Sequence, residues 1–211
     1  MRGCCGLAGT LRSENRFPSR ARYSHPAQDM TRYPAELEEA WDVGGQNLLI
    51  RPIRPEDAAQ HDAFFHRQTP EDIRSRFFAA VRELTPGQML KFTRLDYDRD
   101  MAFIAVRQAT GETVGVARLA RGENPLLAEF AVSVQQDMQG RGLATHLMRR
   151  LLDWAPQHGL AEVVGEILAD NTPMLDLARN LGFTLSHHKN DPQVIKARLL
   201  LPLAGVLRAP A

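Results

Sequence analysis

Residues 139–144, Gln-Gly-Arg-Gly-Leu-Ala, decide the fold because they connect a strand pattern to the start of an amphipathic helix. Gly140 and Gly142 let the backbone turn sharply and approach a ligand without obstruction by a Cβ atom. The helix that follows offers unpaired N–H groups and the positive end of its dipole. The stretch therefore predicts a seat for a phosphate or pyrophosphate group, although the same glycines also suit ordinary helix capping.

The helix after this loop has the clearest periodicity in the chain. Its apolar side chains recur at i, i+4 spacing, which places them on one face. They are Leu143, Ala144, Leu147, Met148, Leu151, Leu152 and Ala155. We expect a helix from about Gly140 to His158, ended by Gly159.

Two other nucleotide-binding motifs fit the loop less well. A dinucleotide-binding fold would agree with Gly140, Gly142 and the acid Glu162, which lies 20 residues beyond Gly142. However, Thr145 occupies the position of that motif's third small residue, and residues 135–139 separate the strand from the first glycine. A Walker phosphate loop requires a Gly-Lys-Ser or Gly-Lys-Thr sequence, which does not follow.

Outward from the loop, alternating apolar residues and turn signals predict a mixture of strands and helices. Strand patterns lie at residues 47–53, 101–108, 112–120, 126–134, 161–169, 183–187 and 193–201. Further helix patterns begin at Pro55, Pro70, Pro86 and Asn171. Because hairpin signals also occur near both ends, at residues 109–111 and 190–192, the fold class is α+β rather than doubly wound.

The composition fits a single domain with no strong global charge. The 211 residues are 44% hydrophobic, and 26 Lys and Arg against 25 Asp and Glu give a formal net charge of +1. This balance provides no field that would attract nucleic acid or anionic lipid, so we expect neither as a partner. No apolar run reaches the ~20 residues of a bilayer span. Cys4 and Cys5 lie outside the predicted fold, which suits a reducing cytoplasm.

The two chain ends lack the patterns of the central segment. Residues 1–29 contain scattered Arg, Gly, Ser and Pro without periodicity, and they lack the apolar core of a secretory signal. We interpret them as a disordered tail or an over-extended start, although an Arg-rich, acid-poor segment also fits a transit peptide. Residues 30–46 are a lead-in segment, residues 47–201 the folded domain and residues 202–211 a C-terminal tail.

The loop and its surroundings resemble the GNAT acyltransferases. Gln-Gly-Arg-Gly-Leu-Ala is similar to their Q/R-x-x-G-x-G/A signature, whose backbone amides hold the pyrophosphate of acyl-CoA. The strand before the loop, the strand after its helix, and a helix from Asn171 to Leu181-Gly182-Phe183 follow in the family's order. The resemblance covers about residues 47–201. It implies a mixed, mostly antiparallel sheet of about six to seven strands flanked by helices, with a splayed central strand pair that binds acyl-CoA.

A narrower resemblance points to the acceptor. Several segments are similar to the acetyltransferase domain of bacterial protein-lysine acetyltransferases that modify acyl-CoA synthetases, namely LLIRPIRPED, RSRFF, DYDRDMAFIAV, AEFAVSV, QGRGLA and VGEILADN. This implies N-acetylation of a protein lysine, of a synthetase or another protein, with acetyl-CoA as co-substrate and no metal. A small-molecule amine as acceptor, or a non-catalytic acyl-CoA sensor, are the alternatives. The oligomeric state stays open.

Glu129 is the candidate general base. It alternates with the apolar residues Ala128 and Phe130 on its strand, so a partly desolvated carboxylate with raised basicity is expected there. A base is needed because a lysine amine of pKa ~10.4 is neutral in only about 1 in 2,500 molecules at pH 7. The resemblance implies the same role. Glu166 on the next strand is the rival carboxylate, and a solvated glutamate on the sheet is the alternative for both.

The residues expected to bind the co-substrate lie on one strand, in the loop and at the next helix. They are Val132, Val134, Gln139, Gly140, Arg141, Gly142, Leu143, Ala144 and Asn171. We prefer Arg141 to Arg149 and Arg150 as a ligand of the CoA phosphates, because Arg141 lies in the loop. Asn171 also suits a plain helix cap.

The remaining polar candidates have weaker cases. Many GNAT enzymes carry a tyrosine, as general acid, where this chain has Ala178. A thiolate of pKa about 8.5 leaves without obligatory protonation, so the absence of this tyrosine does not exclude acetyl transfer. We expect His146 on the surface and His187-His188 in a loop, and Asp96-Tyr97-Asp98 could form an acidic rim for a lysine. The predicted domain has no cysteine, so we expect direct attack by the amine.

Overall fold

The computed structural model describes residues 32–202, which form an eight-stranded sheet and five α-helices. The strands are β1 (Glu39–Val43), β2 (Gln46–Pro52), β3 (Met101–Arg107), β4 (Thr113–Arg121), β5 (Leu127–Val134), β6 (Glu162–Leu168), β7 (Thr184–His188) and β8 (Asp191–Leu200). The helices are α1 (Ala58–His66), α2 (Pro70–Phe77), α3 (Pro86–Thr93), α4 (Leu143–Gln157) and α5 (Thr172–Asn180). Residues 1–29, and all but the first residue of the segment 202–211, lie outside the described residues.

The sheet is mixed and mostly antiparallel, which confirms the α+β class. Its strand order is β1-β2-β3-β4-β5-β6-β8-β7, and β5 with β6 is the parallel pair. Helix α4 connects these two strands as a crossover, as parallel neighbours require. The seven strand patterns read from the sequence all form strands, with bounds that differ by up to two residues.

Strand β1 is the element that the sequence patterns did not indicate. It lies in the segment that we interpreted as a lead-in, and it pairs with β2 across the turn Gly44–Gly45. Trp41 of β1 stacks on His146 of α4, with ring centroids 4.6 Å apart. Because β1 has only five residues and lies at the sheet edge, its own pattern is weak and its place depends on these distant contacts.

Local signals set the helix starts on one side of the sheet. Thr69 accepts a hydrogen bond from the N–H of Asp72, and Thr85 accepts one from Gln88, each with proline at the next position. The chain after Arg54 first makes a 3₁₀ turn, Pro55–Asp57, and then enters α1. Helix α2 begins at Pro70 as predicted and ends at Phe77, because Phe78 adopts a left-handed conformation with φ 56°.

Helix α4 buries the predicted apolar stripe against the sheet. Leu143, Leu147 and Leu151 are fully buried, and the helix contacts β3, β4 and β5. Leu152 and Ala144 at the stripe's margin are partly buried. Removal of this face from water, at about 25 cal/mol per Å² of apolar area, fixes α4 and therefore the loop before it.

The strands β5 and β6 diverge soon after they begin. They pair at only three positions, of which Glu129 with Val164 is the last. The next two residues that would face each other are Phe130 and Gly165. The open gap beyond them is the splayed central pair, and it positions the site described below.

His187 and His188 differ from the prediction of a loop. They are the last two residues of β7, where His187 pairs with Ile195 of β8. Among residues 32–202, no helix combines the length and apolar character needed to cross a membrane.

Candidate active site

A cleft of about 990 Å³ opens where β5 and β6 separate. Its walls come from β5, the loop before α4, the start of α5 and helix α2. Helix α2 is hydrogen-bonded to both sides of the cleft mouth. Arg74 donates to Asp170 at 3.1 Å, and Gln139 donates to Asp72 at 3.3 Å. The cleft is thus a groove bridged on one side by α2.

The two glycines of the loop have the backbone conformation that the sequence indicated. Gly140 has φ 70° and Gly142 has φ 84°, both in the left-handed region that strains other residues. Within residues 32–202, a Cβ atom at either position would meet no atom within 4 Å, so the requirement is conformational rather than steric. Among the described residues, no side chain caps the first turn of α4, which leaves its N–H groups available to an anion.

Most residues predicted to bind the co-substrate line this cleft. Val132, Val134, Gln139, Gly140, Gly142, Leu143, Ala144 and Asn171 do so. Leu143 is 1% exposed, so it offers the cleft little beyond its backbone. Gln139 donates a hydrogen bond to the carbonyl of Val134 at 3.1 Å and thereby ties the loop to the end of β5.

Arg141 and Asn171 differ in where their side chains lie. Arg141 does not line the cleft, and its Nη1 lies 3.5 Å from the position a Cβ atom would take on Gly44. The contribution of Arg141 to the loop is therefore its backbone. Asn171 lines the cleft and also caps α5, because its Oδ1 accepts from the N–H of Met174 at 3.2 Å.

Glu129 lies in the cleft at the last paired position of β5 and β6. Although the side chain is exposed to the open groove, desolvation by the walls raises the pKa of its carboxyl. The charge of Arg76 lowers that pKa, and Glu166 raises it. Glu166 also lines the cleft and lies 3.7 Å from Nε2 of His188. The strand face thus holds two carboxylates and one nearby guanidinium.

Arg76 is the residue of this site that the sequence did not single out. It belongs to the RSRFF segment and lies 53 positions before Glu129. Its guanidinium is 5.0 Å from the ring centroid of Phe77. Desolvation lowers the pKa of Arg76, and the charge of Glu129 raises it. Its proximity to Glu129 depends on the packing of α2 on β5, for which no local pattern exists.

Acidic residues outnumber basic ones along the cleft. The acids are Glu71, Asp72, Glu129, Glu166, Asp170 and Asp176, and the bases are Arg74 and Arg76. A cleft lined mainly by negative charge concentrates cations such as a protonated amine. Within residues 32–202, no group of three or more His, Cys, Asp or Glu side chains could hold a metal ion.

Several predicted polar candidates lie away from the cleft. The Asp96-Tyr97-Asp98 segment does not line it, and Tyr97 is buried with its hydroxyl donating to the carbonyl of Ile53 at 2.9 Å. His146 is partly buried under Trp41 rather than on the open surface, and its Nε2 lies 3.2 Å from Oε2 of Glu39. Ala178 is buried and offers no proton.

Known proteins share this architecture. Residues 47–184 match the family described as the acetyltransferase (GNAT) domain. An acetyltransferase of Pseudomonas aeruginosa is 34% identical over 159 residues, covering 74% of this chain and 86% of that protein. The acetyltransferase Pat of Mycolicibacterium smegmatis is 29% identical over 139 residues, or 65% of this chain, which spans only 41% of Pat.

Among solved structures, the GNAT domain of S. lividans PAT superposes with a TM-score of 0.73 and 25% identity. The match covers 80% of this chain and 99% of that domain. Together these similarities confirm the resemblance that the QGRGLA loop indicated.

Proposed function

The chain belongs to the GNAT acetyltransferase family, and on that premise we propose that it acetylates a lysine side chain of a protein, with Glu129 as general base. As a member of that family it is an acyl-CoA-dependent N-acyltransferase. The observation that carries the proposal is the position of Glu129, a carboxylate of raised pKa at the point where β5 and β6 separate.

The described residues fit acetyl-CoA as co-substrate. The unpaired N–H groups at the start of α4 and the left-handed glycines suit its pyrophosphate, and the gap between β5 and β6 suits its elongated arm. When bound, acetyl-CoA supplies the activated acyl group as a thioester. Val132, Val134 and Ala144 line the groove and would exclude water from that arm.

Glu129 has the chemistry that the acceptor requires. A lysine arrives protonated at neutral pH, and its ammonium is attracted by the acid-rich cleft. The Glu129 carboxylate takes one proton from the ammonium, which leaves a neutral amine able to attack the acyl carbonyl. As the carbon–nitrogen bond forms and the carbon–sulfur bond breaks, the second amine proton passes to solvent or to the departing thiolate, whose pKa of roughly 8.5 makes a dedicated proton donor unnecessary, consistent with the buried Ala178.

Two features support a lysine acceptor. The excess of acids over bases along the cleft favours a cationic group. The sequence segments quoted above also resemble bacterial protein-lysine acetyltransferases. The protein that carries the lysine, such as an acyl-CoA synthetase, and a cytoplasmic location are predictions that follow from that resemblance.

The test is product identification with labelled acetyl-CoA. Purified protein is incubated with a lysate, and acetylated peptides and small amines are identified by mass spectrometry. We expect acetyl-lysine in proteins, and a strong loss of it with Glu129→Gln. Acetylation of small amines alone would contradict the acceptor class, and acetyl-CoA binding without any transfer would indicate a sensor module.

A further inference from the structure

A second, smaller cavity lies behind the cleft wall. Its volume is about 50 Å³, and it lies between strand β4, the face of β5 that carries Ala131 and Ser133, and the helices α1, α2 and α3. Arg76, Ala131 and Ser133 line both the cavity and the cleft. The cavity therefore adjoins the site of acyl transfer, with Arg76 in the shared wall.

Two guanidinium groups line this cavity, and the carboxylates whose charges act on them, Glu129 for Arg76 and Asp100 for Arg118, form no direct ion pair with them. Arg118 is 9% exposed and, among residues 32–202, donates to the carbonyls of Lys91 and Phe92 at the end of α3. Arg76 packs on the Phe77 ring. In the part of the chain that the structure describes, neither forms an ion pair within 4.0 Å. Burial of unpaired charge is costly, so this arrangement favours an anion.

Two further polar atoms in the cavity wall lack partners. Nδ1 of His61 and Nε2 of Gln68 are buried without a hydrogen bond among residues 32–202. His61 is 8% exposed, and desolvation lowers its pKa to about 4, so it is neutral and able to donate through one ring nitrogen. Oε1 of Gln68 accepts from Oγ of Ser133 at 2.9 Å, which leaves the amide NH₂ as the free end.

We propose that this cavity is an anion subsite of the active centre, which accepts one carboxylate group carried by a substrate. The proposal rests on acyl transfer in the adjoining cleft. A volume of about 50 Å³ exceeds the ~30 Å³ that one water occupies in the liquid and suits a single carboxylate. Water would satisfy His61 and Gln68, but unlike a carboxylate it would bring no negative charge into direct contact with Arg76 and Arg118, on which Glu129 and Asp100 act only without a direct ion pair.

Either substrate of the reaction could carry this carboxylate. The acyl-CoA could be the thioester of a dicarboxylic acid, with its free carboxylate reaching past Arg76. Alternatively, the acceptor could be an amino acid or peptide terminus with a carboxylate near its amine. The planar guanidinium forks bind a carboxylate from both sources in the same way, so the experiment needs one arm for each.

The acyl arm compares succinyl-CoA with butyryl-CoA, which has the same chain length without the carboxylate. Dissociation constants are measured by calorimetry on the wild-type protein without an acceptor amine, so that no acyl transfer occurs and the charge of Glu129 beside Arg76 is kept. If the acyl chain fills the cavity, succinyl-CoA binds about 10- to 100-fold more tightly than butyryl-CoA, as expected for hydrogen bonds to a charged group. Arg76→Met removes the preference, and Arg76→Lys restores part of it.

The acceptor arm uses wild-type protein and acetyl-CoA with Nα-acetyl-lysine and its amide. These acceptors share the same ε-amine and differ in one carboxylate. If the acceptor fills the cavity, KM for the acid is about 10-fold lower than KM for the amide, and Arg76→Met removes the difference. Gln68→Leu, which removes a donor at similar volume, reduces the preference in whichever arm shows one.

The outcomes separate the subsite from the proposed function. Thermal melting first establishes that each variant folds, and Gln68→Leu serves if Arg76→Met does not. If neither carboxylate is preferred by the parent proteins, or if the preference survives both Arg76→Met and Gln68→Leu, the subsite is overturned even when lysine is acetylated normally. If Glu129 is not the base, the comparison of the succinyl-CoA and butyryl-CoA dissociation constants still tests the cavity.

Discussion

The ring of Phe130 on β5 occupies the space that a side chain on Gly165 of β6 would need. A Cβ atom added to Gly165 would lie 2.7 Å from Cζ of Phe130, closer than real contacts allow. These are the first two residues beyond the last paired position, Glu129 with Val164. The Phe130 ring thus fills the point where the strands separate, and Phe183 confines it from another side at 5.0 Å between centroids.

We expect Gly165→Ala to destabilise the fold. Overpacking of this kind costs about 1–3 kcal/mol, which corresponds to a Tm lower by roughly 3–10 °C in a chain of this size. The Tm is measured by calorimetry. Gly87→Ala, whose added Cβ meets no atom of the described residues within 4 Å, is the matched control and should not lower the Tm. The cost should shrink in a Phe130→Leu background, and an unchanged cost there would show that the ring is not its cause.

We expect Glu129→Gln to lower turnover while it leaves acetyl-CoA affinity nearly unchanged. Loss of a general base typically costs ~10²–10⁴-fold, or roughly 3–5 kcal/mol of transition-state stabilisation. Steady-state kinetics give turnover, and calorimetry gives affinity. Glu166→Gln is the control and should lose less. If Glu129→Gln turns over like the wild type and Glu166→Gln loses most of its turnover, the general base is Glu166 on β6.

The pH dependence of turnover should carry the signature of Glu129. Because desolvation raises the pKa of its carboxyl, the acid limb of the wild-type profile should lie above the ordinary range of glutamate. Activity rises as the carboxylate ionises, and Glu129→Gln should lack this limb. Its defect should shrink with rising pH, since more of the amine arrives already neutral. If Glu129→Gln retains the acid limb of the wild-type pH profile, that limb arises from the ionisation of another group.

Acetyl-CoA should stabilise the protein through the loop before α4. At 100 times its dissociation constant, a ligand that binds only the folded state adds ~2.7 kcal/mol. Gly142→Asp should abolish this gain, because it strains a position with φ 84° and adds a negative charge beside the pyrophosphate seat. Gly159→Asp is the control, since φ there is 78° but the residue follows the opposite end of α4. If Gly142→Asp keeps the full shift in Tm, the loop is not the seat.

Strand β1 should matter to stability, whereas the residues before Met30 should not. Trp41→Ala removes the stack on His146 and should lower the free energy of unfolding by about 2–3 kcal/mol, less than the ~3–5 kcal/mol of a fully buried tryptophan.

A chain that begins at Met30 should keep both the Tm and the turnover of the full chain. A large loss of either in that shortened chain would give residues 1–29 a role in packing or regulation.

Local sequence determined most elements of this protein and the type of loop that precedes α4. Thr69 and Thr85 cap their helices with partners three residues away, and Gly140 and Gly142 adopt left-handed conformations that few other residues tolerate. The leucine stripe of α4 is buried as its period requires. These features were predictable because each depends on hydrogen bonds, φ angles or periodicity within a few residues.

Only the tertiary structure decided which side chains share the site. Arg76 lies near Glu129 because α2 packs on β5, and Arg141 reaches Gly44 because β1 and β2 join the sheet beside the loop. The pairing of β5 with β6 ends at Glu129, next to the point where the Phe130 ring lies against Gly165. Such contacts join residues far apart in sequence, and they depend on strand register and helix docking, which no local pattern encodes.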